Sequence, residues 1–218
     1  MFKGKFVVLS LVAAALLCWQ MMPAAVDTAN SGIVHPCSST ATSGAGPYCV
    51  TACPQGDGDI LGDNGALITV VVKDQTGAPI PGIPASDYWL IGCTDNLALC
   101  GGSGSINADS ASNSSGVTTI GGGQDISSGG CDSGVQVVVQ GTVLKDPADC
   151  TSLLCLPIDV ISVDYNKDLV CDLIDFSIFG PAFPSPPQTY DACLDYNCDG
   201  VIDLIDFSIF GGHFLHQC

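Results

Sequence analysis

The chain has 218 residues and a formal net charge of −17, with 22 acidic residues against 5 lysines. All acidic residues are aspartates, and neither glutamate nor arginine occurs. This composition excludes a nucleic-acid-binding surface and a basic membrane-binding patch, because both need a basic face. The 26 glycines and 13 prolines indicate many turns, and therefore β-structure rather than a helical bundle.

Residues 1–29 have the pattern of a secretory signal peptide. Two lysines precede an apolar stretch from Phe6 to Trp19, and small residues follow it. Of the 13 cysteines, Cys18 lies in this segment, which leaves an even number for the mature chain. Secretion and an even number of cysteines predict disulfides, up to six. We therefore expect a disulfide-rich protein that is extracellular or at the cell surface.

The cysteine spacing leaves the disulfide connectivity open. Short closed loops favour local pairs such as Cys93–Cys100 and Cys150–Cys155. A structural zinc site is an alternative, since two cysteine pairs have permitted ligand spacings: Cys49 with Cys53, and Cys193 with Cys198.

Residues 30–65 form a Cys-, Gly- and Ser-rich N-terminal segment with few signals of regular structure. Residues 66–160 contain predicted strands that are separated by turn-rich loops. These strands are Ala66–Lys73, Asp87–Gly92, Gly116–Ile120 and Gly134–Leu144. Short strands between turns predict a mainly β fold with a β-sandwich.

The runs ITVVVKDQTGAPIPG and NADSASNSSGVTTI resemble bacterial immunoglobulin-like and carboxypeptidase-regulatory-like domains. The resemblance covers about Ile68 to Leu144 and implies an Ig-like β-sandwich with a structural or adhesive role. Asn113 begins a glycosylation sequon, and the Ser/Thr-rich loops are candidate glycan sites. An unmodified polar loop is the alternative.

Residues 161–218 contain an internal repeat. Asp164–Phe183 (copy one) and Asp195–Phe214 (copy two) are identical at 15 of 20 aligned positions. Oxygen-bearing side chains occupy loop positions 1, 3, 5, 9 and 12 of each copy, and a valine carbonyl is available at position 7. This set of positions is the spacing of a calcium loop. The predicted ligands are Asp164, Asn166, Asp168, Val170, Asp172 and Asp175 in copy one, and Asp195, Asn197, Asp199, Val201, Asp203 and Asp206 in copy two.

The two loops depart from the EF-hand pattern, which has glycine at position 6 and glutamate at position 12. Both copies have aspartate at position 12, and copy one has Leu169 where copy two has Gly200. A leucine forced to positive φ costs about 1–2 kcal/mol. We expect two Ca²⁺ sites, of which the site with Leu169 is weaker.

The duplicated Asp-x-Asn-x-Asp pattern, with aspartate at position 12 and a short helix after each loop, resembles the type I dockerin family. The resemblance covers about Ile161 to Cys218 and implies calcium at both loops and docking onto a cohesin module. Positions 10 and 11 are Leu-Ile in both copies, where cohesin-binding dockerins have polar or small residues. Positions 17 and 18 are Gly-Pro and Gly-Gly instead of a basic pair, and these pairs predict that each helix ends there.

Apolar side chains recur at helical spacing after each loop, and we expect them to pack copy one against copy two. They are Leu173, Phe176 and Phe179 in copy one, and Leu204, Phe207, Phe210 and Phe214 in copy two. A partner-binding surface is the alternative.

Two weaker patterns have oxygen, nitrogen or sulfur donors close together in the sequence. Asp57, Asp59 and Asp63 suggest a third calcium ion, with an acidic turn as the alternative. His213 and His216 with Cys218 suggest another metal, with inert terminal histidines as the alternative.

No motif isolates an acid–base pair or an activated nucleophile, and we therefore do not expect an enzyme. The sequence predicts a non-catalytic, secreted, calcium-binding structural protein. Its role is that of a subunit in an extracellular or cell-surface assembly, such as a fibre or surface layer, formed through protein contacts. The alternative is a dockerin-type interaction module that binds a cohesin-like receptor.

Overall fold

The computed structural model describes residues 33–101, 106–183 and 190–218. The fold is mainly β, with 31% strand and 14% helix, as the sequence predicts. The predicted signal peptide lies outside the described residues. In the ranges that are described, no helix has both the length and the apolar character that a membrane crossing requires.

The described residues contain nine strands and two α-helices. The strands are β1 (Thr40–Thr42), β2 (Tyr48–Ala52), β3 (Ile68–Val71), β4 (Tyr88–Gly92), β5 (Leu97–Leu99), β6 (Val117–Ile120), β7 (Ser128–Val139), β8 (Thr142–Val143) and β9 (Leu156–Ser162). The helices are α1 (Leu173–Phe179) and α2 (Leu204–Gly212). Single turns of 3-10 helix lie at Ala85–Asp87, Gly180–Ala182 and Ala192–Leu194.

The strands form two sheets. One sheet has the antiparallel order β1-β3-β6. The other has the order β2-β9-β7-β4, with β5 and β8 also paired to β7 and with β2 parallel to β9. In β3, Ile68 and Val70 are buried while Thr69 is less so, which matches the two-residue period of a strand. Both sheets contribute side chains to one hydrophobic core, which includes Ile68, Ile120, Leu90, Val137 and Ile158.

The predicted strands are present with changed bounds. Strands β3, β4 and β6 lie within their predicted spans, but β7 begins at Ser128, inside a predicted loop. Strands β1 and β2 lie in the N-terminal segment where little regular structure is expected, and β9 lies in a part of the predicted sandwich where no strand was predicted. Strand β2 is specified by its partner, since Tyr48 pairs with the distant Ile158.

Five disulfides connect segments that are far apart in the sequence. Each pair is separated by at least 62 residues, because paired strands bring distant segments together. The expected local pairs Cys93–Cys100 and Cys150–Cys155 are therefore wrong, and so is the cysteine zinc alternative, whose members Cys49, Cys193 and Cys198 are disulfide-bonded. The observed pairs are Cys37–Cys150, Cys49–Cys198, Cys93–Cys155, Cys100–Cys218 and Cys131–Cys193. Five disulfides indicate an oxidising environment.

A second hydrophobic cluster joins the repeat to the β-structure. Its buried members come from the ends of β2 and β9 and from both copies of the repeat: Cys53, Ile161, Val163, Cys171, Phe179, Leu194, Tyr196 and Phe210. Two disulfides run from this region to copy two and the residues just before it, Cys49–Cys198 and Cys131–Cys193. Both loops are therefore packed against the end of the larger sheet, and copy two is also cross-linked to it.

The phenylalanines of α1 and α2 pack copy one against copy two, as expected. The rings of Phe179 and Phe210 stack with centroids 5.6 Å apart, and those of Phe176 and Phe207 meet edge-on at 6.3 Å. The same expectation is wrong for Leu173 and Leu204, which are 69% and 71% exposed. Each of these leucines is the first residue of its helix, and Leu173 lies beside Phe176 and Phe207 at an exposed groove.

The two helices end differently. Helix α1 ends at Phe179, before the Gly-Pro pair, as expected. Helix α2 ends at Gly212, the second glycine of the Gly-Gly pair, so it ends at the pair as expected but extends further along the repeat than α1 does. Glycine retains its amide hydrogen, and the His213 amide closes the last turn by donating to the carbonyls of Ile209 and Phe210.

Candidate metal centre

The position 1 aspartate is the centre of each loop. In copy one, the Asp164 carboxylate accepts hydrogen bonds from the amides of Lys167 (3.0 Å) and Leu169 (2.7 Å). In copy two, Asp195 accepts from the amides of Asp199 (3.2 Å) and Gly200 (2.7 Å). In both copies the chain folds around this carboxylate and the position 6 amide donates to it, while the second donor is position 4 in copy one and position 5 in copy two.

Positions 3 and 5 are linked to each other. In copy one, Asn166 Oδ1 accepts from the Asp168 amide (2.8 Å), and its amide group donates to Asp168 Oδ2 (2.9 Å). Asp168 Oδ1 accepts in turn from the Val170 amide (3.0 Å). The same three bonds recur in copy two among Asn197, Asp199 and Val201.

Positions 9 and 12 join the loop to the helix that follows. Asp172 is the N-cap of α1, and its side chain accepts from the Ile174 amide (2.6 Å). Asp175 accepts from the Asp172 amide (2.9 Å), which completes a capping box, and from the Asn166 amide (3.1 Å). The first helical turn is thus held against the loop, which allows the short aspartate side chain to reach position 3.

Copy two repeats this arrangement with Asp203 as the N-cap of α2. The Asp206 carboxylate accepts from the amides of Asp203 (2.8 Å), Tyr196 (2.7 Å) and Asn197 (3.3 Å). Both loops therefore use the position 12 carboxylate to bind the helix N-terminus and the start of the loop together.

Both loops need a left-handed backbone at positions 4 and 6. In copy one these are Lys167 (φ 68°) and Leu169 (φ 68°), and in copy two Cys198 (φ 58°) and Gly200 (φ 88°). The expected positive φ at position 6 is confirmed. Copy one meets this requirement without glycine, so its backbone is the more strained of the two.

Four loop carboxylates are buried without a cationic partner. The aspartates at positions 1 and 12 are 0% exposed in both copies: Asp164, Asp175, Asp195 and Asp206. Within the described residues, the ion pairs join Asp57 to His213 and His216, and none involves a loop carboxylate. A buried carboxylate without a counter-charge is costly, so these groups require a cation or a proton.

Burial raises the pKa values of three of these carboxylates: Asp164, Asp175 and Asp206. Burial raises the pKa of Asp164 to about 6, and the charges of Asp175 and Asp168 add to the rise. Burial also raises the pKa values of Asp175 and Asp206 above the ordinary range. The donors are carboxylate, amide and carbonyl oxygens, which fit Ca²⁺ and not zinc or copper.

The acidic pattern near residue 60 is engaged in separate contacts. Asp59 accepts from the Thr51 amide (2.9 Å), whereas Asp57 Oδ1 lies 3.2 Å from His213 Nδ1. Asp63 is exposed. The three aspartates therefore serve different contacts, as in the acidic-turn alternative.

The expected donor set of two histidines with Cys218 is wrong, because Cys218 is bonded to Cys100. Cys53 is adjacent to the histidines instead, with its Sγ 3.2 Å from His216 Nδ1. The sequence does not indicate this contact, since the two residues lie 163 positions apart.

The candidate centre consists of two loops that share most of their internal hydrogen bonds and bury carboxylates at the same positions, 1 and 12. The resemblances to dockerins and to Ig-like domains rest on the sequence patterns given above. Comparisons of the chain with protein-family models, with curated proteins and with solved structures find no match.

Proposed function

We propose that the protein is a non-catalytic, secreted, calcium-binding structural protein that binds one Ca²⁺ in each loop. The four buried loop carboxylates without a cationic partner are the observation that carries this proposal. The twelve predicted ligand residues would hold the two ions. Calcium would supply the positive charge that otherwise has to come from protons.

Calcium has a structural role in this proposal because both loops are attached to the β-structure. The Gly130 amide in β7 donates to the Asp164 carbonyl (2.7 Å), and the Thr51 hydroxyl in β2 donates to the Tyr196 carbonyl (2.6 Å). A Cβ atom at Gly129 would overlap the Asp164 carboxylate, so this glycine allows the close approach of loop one to β7. Ordering the loops therefore also orders the end of the larger sheet.

An exposed apolar surface supports a role in assembly. Leu-Ile pairs at the start of both helices are exposed, and Leu173 lines a groove together with phenylalanines of both helices. We name this surface the apolar face; it consists of Leu173, Ile174, Leu204, Ile205, Phe176 and Phe207. Exposed apolar patches mark interaction sites. We assign this face to contact with a second copy, in a fibre or surface layer outside the cell.

The alternative function is a dockerin-type module that binds a cohesin-like receptor. The apolar face includes positions 10 and 11 of both copies, but its Leu-Ile pairs differ from the polar or small residues that cohesin-binding dockerins have there. These are the positions at which the dockerin resemblance locates the partner face. The two functions differ in what covers the apolar face: a second copy of the chain in an assembly, or a cohesin-like receptor.

Calorimetric titration of the calcium-free protein tests the calcium proposal. We expect two binding events in the parent chain and none in an Asp164→Asn/Asp195→Asn variant, because amide oxygens cannot neutralise the ion. Limited proteolysis provides an independent readout. Chelation should sensitise residues 161–218 selectively, and equal resistance of that region with and without calcium would refute the structural role.

Electron microscopy and sedimentation in calcium test the assembly proposal. We expect filaments or layers from the parent protein and their loss in a Leu173→Ser/Leu204→Ser variant. Leu153→Ser is the matched control, because Leu153 is also exposed but lies outside the apolar face. Monodisperse particles of the parent protein would contradict self-assembly and favour the receptor-binding alternative.

A further inference from the structure

A group of metal-ligating side chains lies outside the calcium loops. It brings Cys53 and Asp57, from the segment after β2, together with His213 and His216, from the end of α2. Asp57 Oδ1 lies 3.2 Å from Nδ1 of His213 and 3.2 Å from Nδ1 of His216. Cys53 Sγ lies 3.2 Å from His216 Nδ1. All four donor atoms lie within 4.8 Å of one another.

Three of the six donor–donor spacings are close to those around a tetrahedral ion, and the other pairs lie within 4.8 Å. Zinc binds histidine nitrogen and carboxylate oxygen at about 2.0–2.2 Å and cysteine sulfur at about 2.3 Å. A tetrahedron with bonds of these lengths has neighbouring donor atoms about 3.3–3.6 Å apart. The three 3.2 Å contacts therefore need only a small expansion to accommodate the ion. The sulfur and nitrogen donors favour Zn²⁺ over Ca²⁺.

The backbone holds the histidine side of the group in place. His213 caps α2, since its amide donates to the carbonyls of Ile209 and Phe210. The His216 carbonyl accepts from the Cys171 amide (2.9 Å) in loop one. Two residues later, Cys218 is bonded to Cys100. The backbone at both histidines is therefore held in place, and both imidazoles also contact Asp57.

The cysteine side is equally constrained. The Gly56 amide donates to the Cys53 carbonyl (3.0 Å) and forms a turn that returns Asp57 towards the thiol. Gly58 packs on the backbone of Thr51 so closely that no Cβ atom fits there. Cys53 is buried and has no disulfide partner, although ten of the twelve described cysteines are paired. Coordination to a metal would give this buried thiol a structural role although it is not part of a disulfide.

We propose that Cys53, Asp57, His213 and His216 form a structural Zn²⁺ site. Four protein donors complete a tetrahedron and leave no open position, which is the arrangement of a structural and not a catalytic zinc site. Binding forms four coordinate bonds and releases the thiol proton of Cys53 to solvent, with no change of oxidation state. The ion joins the segment after β2 to the C-terminal turn, and its donors are not ligands of the calcium loops.

Metal analysis of the full mature chain tests this proposal. The protein is stripped with chelator, saturated with Ca²⁺ to fill the loops, exposed to Zn²⁺ and dialysed. We expect one zinc per chain by elemental analysis. Replacement with Co²⁺ should produce the charge-transfer absorption of a thiolate–Co²⁺ bond. No retained zinc, or cobalt bound without that absorption, would overturn the proposal.

Variants identify the donors. We expect Cys53→Ser to abolish the charge-transfer absorption, and Asp57→Asn and His213→Ala to weaken zinc binding by more than roughly 100-fold, since even outer partners of a zinc site contribute 10–100-fold. His35→Ala is the matched control, because His35 lies outside the site, and it should bind zinc as the parent does. Asp57 is partly exposed, so we expect Asp57→Asn to keep the fold. This variant therefore tests the zinc site even if Cys53→Ser does not fold.

The remaining unpaired cysteine allows a competing outcome. Cys171 is buried in the same hydrophobic cluster as Cys53. Thiol titration of the metal-free, denatured protein should therefore find two free thiols. Detection of none, with a Cys53–Cys171 cross-link in the peptide map, would overturn the zinc site in favour of a sixth disulfide.

Discussion

The two copies of the repeat have the same internal loop structure but different attachments to the rest of the protein. Loop one is held by main-chain hydrogen bonds, from the Gly130 amide to Asp164 and between Cys171 and His216. Copy two is held covalently, by Cys198 to β2 and by Cys193 to β7. A duplicated sequence therefore specifies the loop, while the surroundings decide how firmly each copy is held.

The copies also differ in backbone strain. Leu169 and Gly200 occupy the same left-handed position, which glycine adopts without steric cost. Copy one has both the more strained loop and the weaker attachment. We therefore expect it to be the copy that depends more on calcium.

Calcium removal should have the largest effect and should separate the copies. We expect chelation to remove amide protection from residues 164–175 more completely than from residues 195–206, because disulfides still hold copy two. Hydrogen exchange with mass spectrometry measures this, with peptides of β4 and β7 as internal references. Greater loss of amide protection in copy two than in copy one would contradict the expectation that copy one depends more on calcium.

The position 12 aspartates test the sites separately. Asp206→Ala should leave the weaker site of copy one, and Asp175→Ala the tighter site of copy two, because Leu169 strains only the first loop. Calorimetry should therefore find the lower residual affinity in Asp206→Ala. Asp63→Ala is the control, since Asp63 is exposed and lies outside both loops. Equal residual calcium affinities in the two variants would contradict the prediction that the site of copy one is the weaker.

Removing the Cys49–Cys198 disulfide should make copy two resemble copy one. We expect the Cys49→Ala/Cys198→Ala variant to lose about 2–4 kcal/mol of unfolding free energy, because the bridge closes a long loop. Chelation should then expose the two copies more equally, with Cys131–Cys193 as the remaining bridge to copy two. The Cys37→Ala/Cys150→Ala variant is the control, because it removes a bridge outside the repeat. If the control variant has the same effect on the loss of amide protection in the two copies, the Cys49–Cys198 disulfide is not the cause of their difference.

Exchange at position 6 should have the smallest effect. Relief of a left-handed leucine gains about 1–2 kcal/mol, and the greater freedom of glycine in the unfolded chain offsets about 0.5–1 kcal/mol. We therefore expect Leu169→Gly to raise the unfolding free energy by about 0.5–1 kcal/mol.

Gly200→Leu should lower the unfolding free energy by a similar amount. A Cβ atom at Gly200 has no neighbour within 4 Å, so backbone strain is the only cost. Denaturant unfolding in calcium measures both changes. Stabilisation by Gly200→Leu would contradict the strain argument.

The internal structure of the loops and helix starts could be predicted from the sequence. The bonds of Asp164, Asp172 and Asp175 span nine residues or fewer, so a short stretch of sequence specifies them. The mainly β class and three strand positions followed in the same way from local patterns of β-branched residues and turns.

The disulfide pairs, the β2–β9 pairing and the site at Cys53 could not be predicted in this way. Each depends on segments that lie 62 or more residues apart. Local sequence has no information on which distant partner the packing will bring near. The expected pairing of Cys150 with Cys155 was wrong for this reason, since strand pairing places Cys155 against Cys93 instead.

The internal structure of the two loops follows from local sequence, because the hydrogen bonds within them close over short stretches and the oxygen-bearing side chains recur at fixed spacing. Their surroundings depend on the folded chain: the β-strand beneath loop one, the disulfides that hold copy two, and the cysteine next to His216. These features depend on the closure of long segments, whose entropy cost is met by the combined packing of two sheets and two copies rather than by any local pattern.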